Sequence, residues 1–208
     1  MVGKLFGKKL GMTRYFLDEG KSVPVTIVKM EPCVVIQKKT QDRDGYEAIQ
    51  VGFQAQKESR LNKPAQGHFK KAGDRAFRYL REIRVEDASQ FELGQEIGTD
   101  IFTIGEVVNV SGKSKGRGFS GVIKRWGFSG GKDTHGCRSH RVPGSIGSSQ
   151  FPGRVLKGKK LPGRMGFHRT TIKNLTILDV RPEMDVIALK GAVPGSRNTL
   201  VEITKTEG

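Results

Sequence analysis

Short runs of apolar, often β-branched residues recur towards both ends of the 208-residue chain. The first two are Val23–Met30 (VPVTIVKM) and Cys33–Gln37 (CVVIQ), whose compositions favour extended strands. Ile49, Val51 and Phe53 then alternate with glutamine and glycine, which is the two-residue period of a strand with one buried face. By the same criteria, further strands are predicted at Tyr79–Val85, Gly105–Val110, Asn174–Val180, Asp185–Leu189 and Thr199–Ile203.

Turn and helix signals separate these strands. Asp42–Gly45 (DRDG) predicts a hairpin turn, because an Asp-Gly pair accepts the positive φ angles of a tight turn. A short helix is predicted from Pro64 to Gly73, since proline suits the first turn of a helix and glycine its exit. Many short strands with such punctuation favour a mainly β fold: an antiparallel β-barrel with one short helix.

The positive charge is concentrated in one internal segment. The chain contains 37 Lys and Arg against 21 Asp and Glu, a net charge of +16. Residues 111–169 hold 14 of those cations, 14 of the 28 glycines and a single acid, Asp133. Such a composition cannot bury enough apolar surface to form its own core. We therefore predict that residues 1–110 begin the barrel, that residues 111–169 form a long basic glycine-rich internal extension, and that residues 170–208 complete the barrel.

The extension has the residue types of an RNA-binding segment. In SGKSKGRGFSG, cations alternate with glycine and serine, so that side chains can neutralise phosphates while the backbone approaches them closely. Pro-Gly pairs and small residues further along predict a slim tip made of turns. The predicted RNA-binding residues are Lys113, Lys115, Arg117, Lys124, Arg125, Trp126, Lys132, His135, Arg138, His140, Arg141, Arg154, Lys157, Lys159, Lys160, Arg164, His168 and Arg169. The predicted tip residues are Pro143, Gly144, Gly147, Ser148, Ser149 and Gln150.

Trp126 has two interpretations. An aromatic ring among cations can stack on an unpaired base. Alternatively, Trp126 packs with Phe119, Val122 and Ile123 and docks the root of the extension onto the barrel, which we favour because aromatic residues usually serve packing first. In both interpretations Phe119–Phe128 forms a short helix or turn.

Other chemistries find weaker support in this sequence. A zinc site would draw on His135, Cys137 and His140, but their spacing matches no strong finger pattern, and arginines would place positive charge beside the metal. The P-loop spacing G-x-x-x-x-G-K-[ST] is absent. One carboxylate in the extension supplies neither an acid–base pair nor a nuclease metal cluster. We therefore expect no enzyme activity, no cofactor, no metal and no small-molecule substrate.

Membrane association and disulfide bonding are also disfavoured. No apolar run approaches the ~20 residues that span a bilayer, and the opening of the chain lacks the apolar core of a signal peptide. A DNA-architectural or membrane-surface protein would share the charge but not the slim, turn-rich loop. Two distant cysteines, Cys33 and Cys137, favour reduced thiols. We therefore expect a cytoplasmic protein without a membrane partner.

Four stretches of the sequence resemble the bacterial branch of the large-subunit ribosomal protein three family (the L-three family). They are GKKLGMTR near the start, SGKSKGRGFSGVIKRWGFSGG, DTHGCRSHRVPGSIG and FPGRVLKGKKLPGRMG. The resemblance covers essentially the whole chain, and its motifs are long and ungapped.

This resemblance implies a β-barrel on the surface of the large ribosomal subunit. It also implies an extension that follows the large ribosomal RNA inwards to the peptidyl transferase centre, with residues 135–149 nearest to that centre. Family members bind this RNA early in assembly and neighbour other large-subunit proteins. Some bacterial members carry an N5-methylated glutamine, and Gln150 is similar in position, which implies a glutamine methyltransferase as a further partner.

Overall fold

A computed structural model describes residues 3–17, 20–73 and 75–206. Its strands are β1 (Lys4–Phe16), β2 (Ser22–Lys29), β3 (Cys33–Lys39), β4 (Ala48–Ala55), β5 (Phe77–Arg84), β6 (Glu96–Ile97), β7 (Val107–Lys113), β8 (Phe119–Ser120), β9 (Gly163–Arg164), β10 (Arg169–Arg181), β11 (Val186–Lys190) and β12 (Leu200–Lys205). Its helices are α1 (Gln41–Asp44), α2 (Lys63–Phe69) and α3 (Val122–Trp126), with 3-10 turns at Glu58–Arg60, Thr99–Ile101 and Pro182–Met184. The chain divides into two compact units: a first unit of residues 1–113 and 169–208, and a second unit of residues 114–168.

Six strands of the first unit form a closed antiparallel barrel in the order β1-β12-β7-β10-β11-β2. Strand β1 closes it, pairing with β12 from Lys4 opposite Thr204 and with β2 as far as Phe16 opposite Ser22. Strands from both sides of residues 114–168 therefore share one sheet, as β7 pairs directly with β10 and β12. The predicted mainly β fold with an antiparallel barrel is confirmed.

Alternating residues fill the interior of the barrel. In β12, Val201 and Ile203 are buried while their neighbours are partly exposed, and Ile187 and Leu189 repeat the pattern in β11. Burying an aliphatic side chain of this size contributes about 1.5–3 kcal/mol. Ile177 of β10 is also fully buried in this core. Because side chains alternate across a strand, a one-residue slip would turn each of these residues outwards, so the pattern fixes the register.

Strands β3 to β6 form a second sheet, in the order β5-β4-β3-β6. The prediction assigned all of residues 1–110 to the barrel, and this sheet corrects it. The chain leaves the barrel at Pro32, which cannot donate to a sheet ladder, and then pairs locally through hairpins. Strand β3 is covered on both faces: Val34 and Ile36 pack with Phe69 of α2, while Val35 joins the main core.

Two local predictions are corrected in detail. Asp42–Gly45 does connect a hairpin, but as the single turn α1 followed by Gly45 with a φ of 79°. Helix α2 begins as predicted, with Asn62 accepting a hydrogen bond from the Ala65 amide, but it ends at Phe69 rather than Gly73. The next residues form a further turn in which the Ala72 amide donates to the Phe69 carbonyl.

Strand β1 was missed because lysines and glycines obscure its alternation. One of these glycines is required by its surroundings. A Cβ at Gly7 would lie 2.7 Å from the Lys29 carbonyl oxygen and 2.8 Å from a Val28 methyl group. Only glycine permits this approach of β1 to β2.

Candidate nucleic-acid interface

The two ends of the second unit run side by side and hold each other. The Ser114 amide donates to the His168 carbonyl at 2.9 Å, and the Arg117 amide donates to the Met165 carbonyl at 2.9 Å. The short strands β8 and β9 then pair antiparallel. The outgoing and returning chains therefore form a narrow two-stranded ribbon.

Glycines permit backbone contacts in this ribbon and beyond it. Gly166 has a φ of 75°, and a Cβ there would overlap the carbonyl oxygen of Lys115. A Cβ at Gly130 would lie 2.6 Å from the His140 carbonyl oxygen, while the Gly131 amide donates to that same carbonyl at 3.0 Å. The glycine content that marked this segment in the sequence thus allows two chain passes to lie in backbone contact.

Helix α3 joins the outgoing chain to the returning chain through one carbonyl group. Both the Arg125 guanidinium, at 2.8 Å, and the Trp126 indole N–H, at 2.9 Å, donate to the Leu161 carbonyl oxygen. The cationic groups of Arg125 and Lys160 lie 4.9 Å and 5.8 Å from the Trp126 ring centroid. The short helix or turn predicted at Phe119–Phe128 is a helix at Val122–Trp126, and Phe119 lies in strand β8 instead.

The residues around Trp126 differ widely in exposure. Val122 is buried and Ile123 is partly buried, whereas Phe119 is 79% exposed and Trp126 is 42% exposed. Trp126 is therefore anchored within its own unit and still presents part of its ring to solvent. The prediction that these residues dock the extension onto the barrel stays a prediction.

The positive charge of the second unit is almost uncompensated. Residues 114–168 contain 12 Lys and Arg and one acid, Asp133, whose carboxylate lies 3.8 Å from the His140 imidazole. Eleven of the 12 cations are exposed, and Arg125 is half-buried. A segment with this excess of exposed cations attracts a polyanion strongly.

Nearly every predicted RNA-binding residue is accessible. Within the second unit the exposed ones are Lys115, Arg117, Lys124, Trp126, Lys132, His135, Arg138, His140, Arg141, Arg154, Lys157, Lys159, Lys160, Arg164 and His168. Lys113 and Arg169 are exposed on the first unit, where Arg169 donates to Glu202 at 2.9 Å. The structure brings Arg125, Trp126 and Lys160 into contact. It also places the His140 imidazole within 2.8 Å of the Lys132 carbonyl oxygen, and the others are distributed along the segment. Their roles in RNA binding stay predictions.

The predicted tip has few internal contacts. Gly144, Gly147, Ser148, Ser149 and Gln150 are exposed, and Pro143 is half-buried. The Ser145 hydroxyl donates to the Gly147 carbonyl at 3.2 Å. The nearest atom to a Cβ at Gly147 would be the Arg154 carbonyl oxygen, at an ordinary contact distance of 3.7 Å. The tip is therefore sterically open in the protein alone.

Exposed apolar side chains accompany the cations, and the sequence prediction missed them. Phe151 is 89% exposed, Leu156 is 60% exposed, and Ile146 and Phe167 are each about half exposed. Apolar surface of this kind marks a binding surface when it is contiguous with recognition residues. Sequence composition identified the cations, whereas only the structure shows which apolar residues lack a core to bury them.

The described residues provide no metal centre and no membrane-spanning helix. Among them, no group of three His, Cys, Asp or Glu side chains could hold a metal ion. No helix in the same described ranges is long and apolar enough to cross a membrane. Both cysteines are free, and burial raises the pKa of the Cys33 thiol to about 12.

Comparison with known proteins shows the family of this chain. Residues 82–185 match the family model described as Ribosomal protein L3. The large ribosomal subunit protein uL3 of Desulforapulum autotrophicum is 54% identical over 205 residues, covering 99% of each chain. The uL3 proteins of Syntrophotalea carbinolica and Carboxydothermus hydrogenoformans are 52% and 53% identical, covering at least 95% of every chain compared. The resemblance seen in the sequence is confirmed, and the chain belongs to the ribosomal protein L3 family.

Proposed function

We propose that this structural protein of the large ribosomal subunit binds large-subunit ribosomal RNA through its basic extension, residues 111–169. The observation that carries the proposal is the set of eleven exposed cations in residues 114–168, where Asp133 is the single acid. Cations that neutralise phosphates release condensed counterions, which supplies much of the affinity for nucleic acid. The protein works in the cytoplasm, as a constituent of the ribosome.

The shape of the second unit suits a narrow space between RNA helices. The outgoing and returning passes of the chain are held together by backbone contacts. Glycines such as Gly166 have no side chain that would separate them. Exposed aromatic rings, among them Phe151 and Trp126, provide flat surfaces on which unpaired bases can stack. We assign phosphate contacts to the cations and base contacts to these rings.

The tip, residues 143–150, is proposed to extend towards the peptidyl transferase centre. Its residues are small or exposed, and few contacts within the protein hold them. The first unit would remain at the subunit surface and contact neighbouring large-subunit proteins. Early binding to the RNA would then order the extension and let the protein support subunit assembly.

Gln150 is proposed as a substrate for a glutamine methyltransferase. Its side chain is exposed and lies in the tip, so an enzyme could reach it before the protein enters the subunit. Mass spectrometry of the peptide containing Gln150, from purified subunits, should show the mass of one added methyl group. An unmodified peptide would refute the methylation of Gln150 and leave the proposed RNA binding unaffected.

Co-sedimentation tests the function directly. Tagged full-length protein is followed through high-salt sucrose gradients of ribosomal particles, beside a variant lacking residues 135–158. We expect the full-length protein to stay with the large subunit, and the deletion variant to fold yet give subunits impaired in peptide-bond formation. Release of the full-length protein into the soluble fraction would overturn the proposal in favour of a transient RNA-binding factor.

A further inference from the structure

A cleft in the first unit includes Lys113 and Arg169, which are already predicted to bind RNA, and adds lining residues outside the extension. It has a volume of about 370 Å³ and opens between barrel strands β1, β7 and β12 and strand β5 of the second sheet. Sites for small ligands typically measure about 300–1,000 Å³, so one nucleotide-sized group fits this range.

The wall of the cleft is aromatic and apolar. Phe6 stacks on Phe53 with ring centroids 4.9 Å apart, and Phe53 stacks on Tyr79 at 5.5 Å. Phe6 and Tyr79 line the cleft, together with Leu200 and Val201. Tyr79 and Leu200 are half-buried and keep accessible surface. Since the aromatic stack fixes Tyr79 in place, a flat ring could pack here with little loss of side-chain entropy.

The rim of the cleft is cationic. Arg81, Lys113 and Arg169 line it and are exposed, whereas Glu202 is the one acid among the lining residues described. Glu202 is already paired with Lys4 and with Arg169, so its negative charge is compensated within the protein. The lining holds three cations and one carboxylate, an excess of positive charge that favours phosphate.

Lys4 pairs with Glu202 and senses the charge of a second cation beside the cleft, Arg169. Burial lowers the pKa of the Lys4 ammonium, and the neighbouring positive charge of Arg169 lowers it further. An anion bound at the rim would relieve part of that repulsion.

We propose that this cleft binds one unpaired nucleotide of an RNA strand, with the base against Tyr79 and Leu200 and the phosphate between Arg81, Lys113 and Arg169. The inference rests on the proposed RNA-binding function and adds a second contact, on the barrel. Lys113 and Arg169 directly precede and follow residues 114–168 in the chain.

The test uses the full-length protein with isotope-labelled methyl groups and a single-stranded RNA hexanucleotide. A matched hexanucleotide carries an abasic residue at one central position and has the same phosphates. We expect the complete strand to shift the methyl signals of Leu200 and Val201, and the abasic strand to leave them nearly unchanged. The affinity of the abasic strand should be lower by roughly 5- to 150-fold, the range for loss of one base stack on an aromatic side chain.

Variants test whether the rim and the wall of the cleft each contribute to RNA affinity. Arg81→Gln should weaken the complete strand and reduce the log–log salt slope by about 0.7, the value of one phosphate on a single strand. Tyr79→Leu should reduce the difference between the two strands, with thermal unfolding used to verify that its core is intact. Lys57→Gln, an exposed cation outside the cleft, is the matched control and should change neither quantity.

Three outcomes would overturn the inference. Equal affinities for the complete and abasic strands, or methyl shifts restricted to residues 114–168, would show that the cleft accepts no base. Free nucleoside monophosphates that bind as tightly as the strand would show a nucleotide site unrelated to RNA. Filter binding of large-subunit ribosomal RNA is measured in parallel. If that binding is intact when the cleft fails, the proposed function stands without this site; if it is absent, the proposed function itself fails.

Discussion

Neutralising the distal cations of the extension should change the salt dependence of RNA binding by a predictable amount. The variant Arg138→Gln, Arg141→Gln, Arg154→Gln and Lys157→Gln removes four positive charges without shortening the chain. All four side chains are exposed, so their replacement leaves the packing of the protein unchanged. Any loss of affinity then reports lost contacts with RNA rather than unfolding.

The magnitude follows from counterion release. Each neutralised phosphate contributes about 0.7 to 0.9 to the negative slope of log K against log salt concentration. If about ten of the eleven exposed cations in residues 114–168 engage phosphates, the wild-type slope lies near −7 to −9. Loss of four contacts should make the slope shallower by about 2.8 to 3.6.

The assay is filter binding to large-subunit ribosomal RNA between about 50 and 200 mM salt, where six to ten contacts cost roughly 10³- to 10⁵-fold in affinity. A second variant serves as a control with the same change in net charge but outside the extension. It carries glutamine at four exposed lysines around α2, namely Lys57, Lys63, Lys70 and Lys71. Its slope should stay close to wild type. A wild-type slope shallower than about −3, or equal changes in the two variants, would refute the engagement of the extension with phosphates.

Three further predictions address the tip, an ion pair and the core. Gly147→Val should leave thermal unfolding of the free protein unchanged, because the position is sterically open. The same variant should slow peptide-bond formation by purified ribosomes. An unchanged rate of peptide-bond formation would argue against a confined tip. The hydrogen bond from Lys39, followed by that from the Tyr46 hydroxyl, holds the pKa of Glu82 below its usual range despite some opposing burial. Glu82 therefore stabilises the fold at pH values above its unfolded pKa and loses this contribution as the pH falls through its folded pKa. Glu82→Gln should lower the melting temperature at pH 7 but progressively less at acid pH. A decrease in melting temperature that is the same at every pH would contradict this. Ile177→Ala should cost about 2–5 kcal/mol in denaturant unfolding, whereas Ile146→Ala, at a half-exposed position, should cost less than about 0.5 kcal/mol.

Local periodicity was sufficient to predict most barrel strands. In β12 the inward residues Val201 and Ile203 alternate with Glu202 and Thr204, so the sequence predicts both the strand and its buried face. Strand β1 is different because Gly7 and several lysines interrupt its pattern. What makes it a strand is pairing at long range, such as Lys4 opposite Thr204. A partner strand so distant in the chain cannot be predicted from neighbouring residues alone.

The same limit explains why the second sheet was assigned to the barrel. Strands of both sheets have the same β-branched composition, and composition does not specify which strands pair. Val34 and Ile36 are buried by Phe69, a residue more than thirty positions later in the chain. The division into two sheets is therefore a property of tertiary packing.

For the candidate interface, the sequence identified charge but not geometry. Arg125 and Trp126 were recognised as cationic and aromatic, yet their shared contact with the Leu161 carbonyl depends on how the chain returns. The cleft was missed for a similar reason, because Tyr79, Lys113 and Leu200 lie on three strands distant in sequence. Residue types can reveal an affinity for RNA, but only the fold shows where a base could be seated.

The two units obtain their order from different sources. The first unit buries a continuous core that includes Ile177 and Ile203, whereas Val122 is the one apolar side chain that is fully buried among residues 114–168. One buried valine contributes about 1.5–3 kcal/mol, which is small beside the conformational entropy of a 55-residue segment. The two-stranded ribbon and the Leu161 contact therefore hold the two passes of the segment together, and under the proposed function we expect contacts with RNA to supply further stabilisation. On that proposal, the segment would gain much of its stability only where it contacts RNA.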